Sequence, residues 1–242
     1  MDFLPHDILA FGAHPDDVEL GCGGTLARMT ALGYRAGIVD LTEGEMGTRG
    51  TVAERYAEAE DARALLGAAT RDNLQLPDGG IRLTGEARDR VVDVLRRYRP
   101  ALVFAPYPSD RHPDHEHASR LVVEAAFYAG VAKIPPAGRP AHRPLRVIHY
   151  PMTEDFTPAF LVDISDYFET KTAALKAHRS QFFNPEYEGA QTFISSPEYW
   201  EYLEVRARYW GFRAGVRYAE PFWVKEPLRV DDPVALFGGA AR

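Results

Sequence analysis

The chain has 242 residues, of which 28 are lysine or arginine, 35 are aspartate or glutamate and 45% are hydrophobic. Its formal net charge of −7 has the wrong sign for binding nucleic acid phosphates or anionic lipid, so the composition disfavours nucleic acid and membrane partners. A chain of this length buries about 70% of its unfolded surface and needs no disulfide, and its single cysteine, Cys22, suits a reducing cytoplasm.

Short apolar segments alternate with helical patterns through the first half of the chain. The predicted strands are Asp7–Ala13, Ala36–Leu41, Asn73–Leu76 and Pro100–Ala105. The predicted helices are Leu20–Leu32, Val52–Leu66, Glu86–Arg97 and Asp114–Ala129. Strands separated by helices of this length form right-handed β-α-β units, so the predicted fold class is α/β with a mainly parallel sheet flanked by helices.

The second half of the chain is less regular. Its predicted strands are Leu145–Met152 and Phe160–Ile164, and its predicted helices are Tyr167–Gln181 and Pro197–Phe212. No stretch approaches the roughly 20 apolar residues that span a bilayer, and the first apolar run is too short for a signal peptide. No change in composition marks a boundary, so residues 1–242 are expected to form a single cytoplasmic domain.

Two clusters of histidine and aspartate follow predicted strands. The first is Ala13-His-Pro-Asp-Asp-Val-Glu19, and the second is Asp110-Arg-His-Pro-Asp-His115. Because ligands of open α/β sheets collect at the carboxyl ends of the strands, we expect both clusters to face one crevice. Such a density of imidazole and carboxylate is typical of a metal site with acid–base groups beside it.

Either cluster alone has a structural interpretation, since aspartate often caps a helix and His-Pro is common in loops. Two such clusters at equivalent strand ends favour a metal site instead. His14 and Asp17 are three residues apart and can turn toward one ion, and a histidine of the second cluster completes three ligands. Two histidines and one aspartate could equally hold Fe(II), so the residues by themselves leave the metal open.

The two clusters, with Gly23-Gly-Thr25, resemble the PIG-L (LmbE-like) family of zinc-dependent N-deacetylases. Further stretches are similar to the branch of that family that acts on N-acetylglucosaminyl-malate in bacillithiol biosynthesis. These stretches are Asp7-Ile-Leu-Ala-Phe-Gly12, Leu41-Thr-Glu-Gly-Glu45, Gly50-Thr51, Leu76-Pro-Asp-Gly79, Phe160-Leu-Val-Asp-Ile-Ser165, His178-Arg-Ser-Gln-Phe182 and Gly215-Val-Arg-Tyr-Ala-Glu220. The resemblance implies a Rossmann-like fold and removal of acetate from an N-acetylglucosamine conjugate.

The resemblance also implies a role for eight residues. These are His14, Asp17 and His115 as ligands of one Zn²⁺ per subunit, Asp16 as general base, His112 as the imidazole that stabilises the oxyanion, Asp114 as the residue that orients it, and Arg55 and Tyr199 as substrate contacts. An arginine at position 55 could form a bidentate pair of hydrogen bonds with a substrate carboxylate. Because members of that family are often hexamers, the resemblance also implies that this chain forms a homo-oligomer, with a hexamer as one possible state.

Several alternatives stay open at this point. Within the same class, the substrate could be another N-acetylated amino-sugar or a thiol conjugate cleaved at an amide. From other classes, a ferrous oxygenase would use the same three ligands, and an inactive sugar-binding protein would need neither Asp16 nor His112. A dinucleotide site at Gly21-Cys-Gly-Gly24 is disfavoured, because Leu26 stands where the motif requires its last glycine.

Overall fold

The computed structural model describes residues 5–136 and 138–234. Its strands are β1 (Ile8–Gly12), β2 (Ala36–Thr42), β3 (Thr70–Leu76), β4 (Leu102–Pro106), β5 (Arg146–Tyr150), β6 (Phe160–Asp163) and β7 (Ala219–Phe222). Its helices are α1 (Asp17–Ala31), α2 (Val52–Leu65), α3 (Gly85–Tyr98), α4 (Pro113–Ala129), α5 (Phe168–Ala177) and α6 (Pro197–Ala214). Within these ranges, no helix combines the length and the apolar character that crossing a membrane requires.

Strands β1 to β5 form one parallel sheet in the order β3-β2-β1-β4-β5, which confirms the predicted α/β fold class. β1 pairs with β2 on one side, where Ile8 lies opposite Ala36, and with β4 on the other, where Ile8 lies opposite Leu102. The strand order therefore reverses between β1 and β4. Ligands of open α/β sheets bind at the carboxyl ends of the strands at such a reversal, and the loops after β1 and β4 carry the two clusters.

Helices cover both faces of the sheet, and alternate residues of β1 point to opposite faces. Ile8 and Ala10 pack in a core cluster with Leu26 of α1, whereas Leu9 and Phe11 pack in a second cluster that includes residues of α3 and α4. All five residues of β1 are buried, as expected for a parallel strand covered on both sides. The carboxyl end of β1 is therefore a rigid platform for the residues that follow it.

Helix α1 approaches the sheet closely at Gly21-Cys-Gly-Gly24. The helical path is interrupted at Cys22, where φ is −145° and ψ is 18°. A Cβ atom at Gly21 would collide with the ring of Tyr150, and one at Gly24 would lie 2.8 Å from the Ile164 side chain. These glycines serve packing of α1 against its neighbours, which accounts for them without a dinucleotide.

Several element boundaries differ from those predicted, and one strand was not predicted. β7 is short and contains Pro221, so it has no local strand signal, and its pairing with β6 alone defines it. β3 begins at Thr70, three residues before the predicted start at Asn73, because an edge strand tolerates polar side chains. Helix α1 begins at Asp17 rather than Leu20, α5 ends at Ala177 rather than Gln181, and α6 extends to Ala214 rather than ending at Phe212.

Candidate metal centre

The two clusters meet where β1 and β4 end. Asp17 opens helix α1 directly after the turn that carries His14, and Pro113 opens helix α4 between His112 and His115. The Nδ1 atom of His112 accepts a hydrogen bond from the backbone N–H of Asp114 at 3.2 Å and caps α4. Both sets of side chains are thus held by the first turns of helices that start at adjacent strand ends.

His14, Asp17 and His115 place one potential ligand atom each within 4.8 Å of the other two. The Nε2 atom of His115 is 3.3 Å from Oδ1 of Asp17, and Nδ1 of His14 is 3.7 Å from Oδ2 of Asp17. Two zinc–ligand bonds of about 2.0 Å at the tetrahedral angle separate their donor atoms by about 3.3 Å. Two imidazoles and one carboxylate at these separations fit a divalent ion.

A second group meets the same distance criterion. His14, His112 and Asp114 also bring one ligand atom each within 4.8 Å of the others. The Nδ1 atom of His112 is already engaged by the backbone of Asp114, and the carboxylate of Asp114 accepts from the backbone N–H of Gly79 at 2.7 Å. The first group consists of the three residues that the sequence resemblance implies as ligands, and we therefore take it as the candidate ligand set.

Two carboxylates that were given no role from sequence orient the histidines of the first group. Oδ1 of Asp78 is 3.1 Å from Nε2 of His14, and Oδ1 of Asp110 is 2.8 Å from Nδ1 of His115. Each carboxylate engages one ring nitrogen and leaves the other nitrogen beside Asp17. A carboxylate that fixes the ring and tautomer of a histidine ligand in this way is common around protein metals.

Asp16 lies beside this group and has an unusual backbone. Its φ of 150° is rare for a residue with a side chain, and its carboxylate makes no capping hydrogen bond to α1. One carboxylate oxygen lies 3.6 Å from Nη2 of Arg55. Burial raises the pKa of Asp16 to about 6, against the opposing effect of the Arg55 guanidinium. The structural interpretation of Asp16 as a helix cap is therefore unsupported, and the carboxylate is free for chemistry.

The imidazole of His112 has one nitrogen engaged and one available. Because its Nδ1 accepts a hydrogen bond, the neutral ring carries its proton on Nε2. Burial lowers the pKa of His112, and the nearby His14 and His115 lower it further, which favours that neutral form. Asp114 thus contacts His112 through its backbone N–H, whereas its carboxylate accepts from the backbone of Gly79.

A cavity of about 350 Å³ opens over these residues. Its lining includes His14, Asp16, Asp17, Met46, Arg55, Asp78, Arg111, His112, His115, Met152, Phe182, Phe193, Ile194 and Tyr199. The side chain of Tyr199 packs against Phe193, with 5.1 Å between the ring centroids. The structure therefore brings all the residues implied by the resemblance to one cavity except Asp114, whose carboxylate lies 3.8 Å from Nε2 of His14.

A buried ion-pair network supports the first cluster from behind. Arg71 of β3 donates to both carboxylate oxygens of Asp40, at 2.7 Å and 3.0 Å, and to Glu19 of α1. Glu19 is completely buried. Burial opposes its ionisation, but Arg71 and His178 outweigh that effect and hold the pKa of Glu19 at about 2. The network joins α1 to strands β2 and β3 beneath the site.

This network predicts a specific pH dependence of stability. A carboxylate whose pKa falls from about 4.5 to about 2 on folding stabilises the fold by about 3 kcal/mol above pH 4.5, and this is lost as the pH falls toward 2. Glu19→Gln should therefore lower the free energy of unfolding at pH 7, and the difference from wild type should shrink by about 2 kcal/mol between pH 4.5 and pH 3. Urea unfolding across this range measures it. If the difference in free energy of unfolding between wild type and Glu19→Gln stayed constant with pH, the lowered pKa of Glu19 would be contradicted.

Comparison with known proteins finds relatives that are named as deacetylases. Residues 9–126 match the model of the family PIG-L, GlcNAc-PI de-N-acetylase. A diacetylchitobiose deacetylase of Thermococcus kodakarensis is 35% identical over 228 residues, covering 88% of this chain and 80% of that protein. A Bacillus anthracis protein named "Probable N-acetyl-alpha-D-glucosaminyl L-malate deacetylase 2" is 29% identical over 238 residues, covering 90% and 94%. The crystal structure of a conserved Thermus thermophilus protein, TT1542, superposes with a TM-score of 0.85 at 46% identity, covering 94% and 98%.

Proposed function

This chain belongs to the PIG-L family, and from that membership and the centre described above we propose that it is a zinc-dependent hydrolase that removes the acetyl group from an N-acetylglucosamine conjugate. The observation that carries the proposal is the convergence of His14, Asp17 and His115 within 4.8 Å, beside a carboxylate that no helix cap engages. That carboxylate lines the cavity beside the proposed ligands, and its side-chain partner is the Arg55 guanidinium at 3.6 Å.

The three proposed ligands would hold the ion through two imidazole nitrogens and one carboxylate oxygen. A divalent ion there supplies Lewis acidity, which makes a water molecule more acidic and an amide carbonyl more electrophilic. Asp16 accepts the proton of the attacking water, since Asp17 is engaged as a ligand and Asp16 is the adjacent carboxylate that lines the cavity. The protonated Asp16 then delivers that proton to the glucosamine nitrogen as the carbon–nitrogen bond breaks, which releases acetate and the free amine. The guanidinium of Arg55, 3.6 Å from the Asp16 carboxylate, helps to position that carboxylate.

His112 lines the same cavity and acts on the carbonyl oxygen of the scissile amide. Its Nδ1 is fixed by the backbone of Asp114, so its Nε2–H donates to the negative charge that develops on the carbonyl oxygen. Removing one such donor typically costs about 10²- to 10³-fold in kcat. The cavity of about 350 Å³ lies in the range of small-ligand sites and suits a substrate of the size of an amino-sugar conjugate.

For the finer substrate we propose an N-acetylglucosaminyl conjugate with a small acidic aglycone, of which N-acetylglucosaminyl-L-malate is the leading case. Support comes from the sequence stretches shared with that branch of the family and from the relative named for that activity. The diacetylchitobiose deacetylase relative names the alternative, a neutral disaccharide.

The direct experiment measures release of free amine by the purified, zinc-loaded protein. The substrates are N-acetylglucosaminyl-L-malate, diacetylchitobiose and N-acetylglucosamine at equal concentrations. We expect hydrolysis of the malyl conjugate with the highest kcat/KM. Oxygen consumption by a separate Fe(II)-loaded preparation, without amine release by either form, would instead indicate a ferrous oxygenase. Binding without turnover would indicate an inactive sugar-binding protein.

Arg55 gives a separate prediction. Its guanidinium is buried, donates to the backbone oxygens of Gly44 and Pro15, and lies beside Asp16. We therefore expect Arg55→Ala to lower kcat/KM for the malyl conjugate and for neutral N-acetylglucosamine by similar factors, because Asp16 serves both reactions. Steady-state kinetics on both substrates measure this. A loss confined to the malyl conjugate would instead support the sequence-based hypothesis that Arg55 binds the substrate carboxylate.

A further inference from the structure

Among the described residues that line the cavity, two carry a permanent positive charge, and they differ in availability. Arg55 has 5% of its side chain exposed and uses Nη1 and Nη2 on Gly44 and Pro15. Its Nε is enclosed and out of reach of a ligand. Arg111 is exposed at the rim, in the loop before α4. Of these two arginines, only Arg111 has guanidinium hydrogen-bond donors available to a ligand.

Arg111 is held in place without a counter-ion. Its guanidinium carbon lies 4.2 Å from the centroid of the Phe193 ring. Across residues 5–136 and 138–234, this guanidinium makes no hydrogen bond and no ion pair. A guanidinium stacked on an aromatic ring keeps its N–H edge free, and that fork matches the two oxygens of a carboxylate.

Apart from the two arginines and the proposed ion, the charged groups of the described residues that line the cavity are carboxylates. Asp16, Asp17 and Asp78 line it, and the whole chain carries a net charge of −7. An anionic ligand therefore needs a local cation at the point where its charge lies. In an N-acetylglucosamine conjugate the ring carbon that bears the acetamido group is bonded to the anomeric carbon, which carries the aglycone. The aglycone therefore lies next to the reacting amide. Arg111 directly precedes His112 and both line the cavity, so the unpaired cation faces the same cavity as the reacting centre.

We infer that Arg111, held on Phe193, binds a carboxylate of the aglycone and selects acidic conjugates over neutral ones. The inference rests on the proposed deacetylase function and deepens it, because it names the substrate class as an N-acetylglucosamine conjugate whose aglycone bears a carboxylate. Phe193 acts through Arg111 as a positioning residue.

Kinetics on two substrates test the inference. Arg111→Gln should lower kcat/KM for N-acetylglucosaminyl-L-malate by about 10- to 150-fold, the range of a charge-assisted hydrogen bond. The loss should lie in KM, since the carboxylate is bound alike in the ground and transition states. With neutral diacetylchitobiose the loss should stay below about threefold. Added salt should weaken the wild-type preference for the malyl conjugate and leave the variant unchanged.

Two further variants serve as controls. Arg120→Gln removes the same charge from an exposed position on α4 outside the cavity and should leave both substrates unaffected. Phe193→Leu should raise KM for the malyl conjugate by a smaller factor than Arg111→Gln does, because the cation remains but loses its support. Equal losses on the two substrates, or no loss on the malyl conjugate, would overturn the inference.

A binding measurement separates this inference from the deacetylase proposal. Calorimetry compares the Kd of N-acetylglucosaminyl-L-malate for Asp16→Asn with its Kd for the double variant Asp16→Asn/Arg111→Gln, and neither protein needs to turn the ligand over. A Kd raised about 10- to 150-fold in the double variant supports the role of Arg111 even if the wild type hydrolyses nothing. An unchanged Kd overturns it even if the wild type is an active deacetylase.

Discussion

Asp16→Asn should lower kcat by about 10²- to 10⁴-fold while metal content and fold stay as in the wild type. The amide has nearly the shape of the carboxylate but cannot accept the proton of the attacking water. Asp17, the neighbouring carboxylate, cannot substitute, because its two oxygens lie within 3.7 Å of His14 and His115, where it serves the ion. Steady-state kinetics with N-acetylglucosaminyl-L-malate, beside a metal assay of the same preparation, measure the effect.

The controls for Asp16 separate chemistry from binding. Asp163→Asn changes an aspartate on β6 whose carboxylate bonds Ser165 outside the cavity, and it should retain wild-type kcat. Asp16→Asn should also bind the substrate with a Kd within about threefold of the Kd for His112→Ala, which likewise blocks the chemical step. An Asp16→Asn kcat within about threefold of wild type would remove Asp16 as the base and would leave His112 as the candidate.

Substituting the proposed ligands should strip the metal from the protein. His14→Ala, Asp17→Asn and His115→Ala should each lose most of the one ion per chain and nearly all activity, since a three-ligand site cannot hold zinc tightly with two. His112→Ala and Asp114→Asn should keep the ion, because neither residue is one of the three proposed ligands, although both belong to the second group that the geometry allows. Elemental analysis after dialysis against metal-free buffer measures the content of each variant.

His117, which lies two residues after His115 on helix α4, provides a matched control. About one third of the His117 side chain is exposed to solvent. Its Nδ1 lies 3.4 Å from the Arg82 guanidinium, and the residue does not line the cavity. His117→Ala should therefore retain the ion and the activity. If His112→Ala lost the ion and His115→Ala kept it, the ion would belong to the group of His14, His112 and Asp114. Circular dichroism of each variant shows whether a loss of metal is instead a loss of fold.

The alternation of strands and helices followed from the sequence, since the spacing of apolar residues is set by the geometry of each element. The same reasoning placed both clusters at strand ends. It missed β7, where Pro221 weakens the local signal and pairing with β6 defines the strand. It also placed the start of the edge strand β3 too late, because polar residues are tolerated there.

The pairings inside the site came only from the tertiary structure. Asp78 contacts His14 across 64 residues, and a sequence shows no periodicity for a contact of that separation. The hydrogen bond of Asp110 to His115 depends on where the loop after β4 turns, although the two residues are neighbours in the chain. Sequence thus determined which chemistry-bearing side chains the chain places at its strand ends.

The tertiary structure decided which of those side chains are already engaged and which are free. Arg55 and Arg111 are equivalent as letters in the sequence, yet folding buries one against Asp16 and leaves the other on the ring of Phe193 at the cavity rim. The physical reason is that a charge acts on a ligand only if its hydrogen-bond donors are unsatisfied and accessible. Both properties arise when distant segments pack together, here the turn after β1, the loop before α4 and the segment that precedes α6.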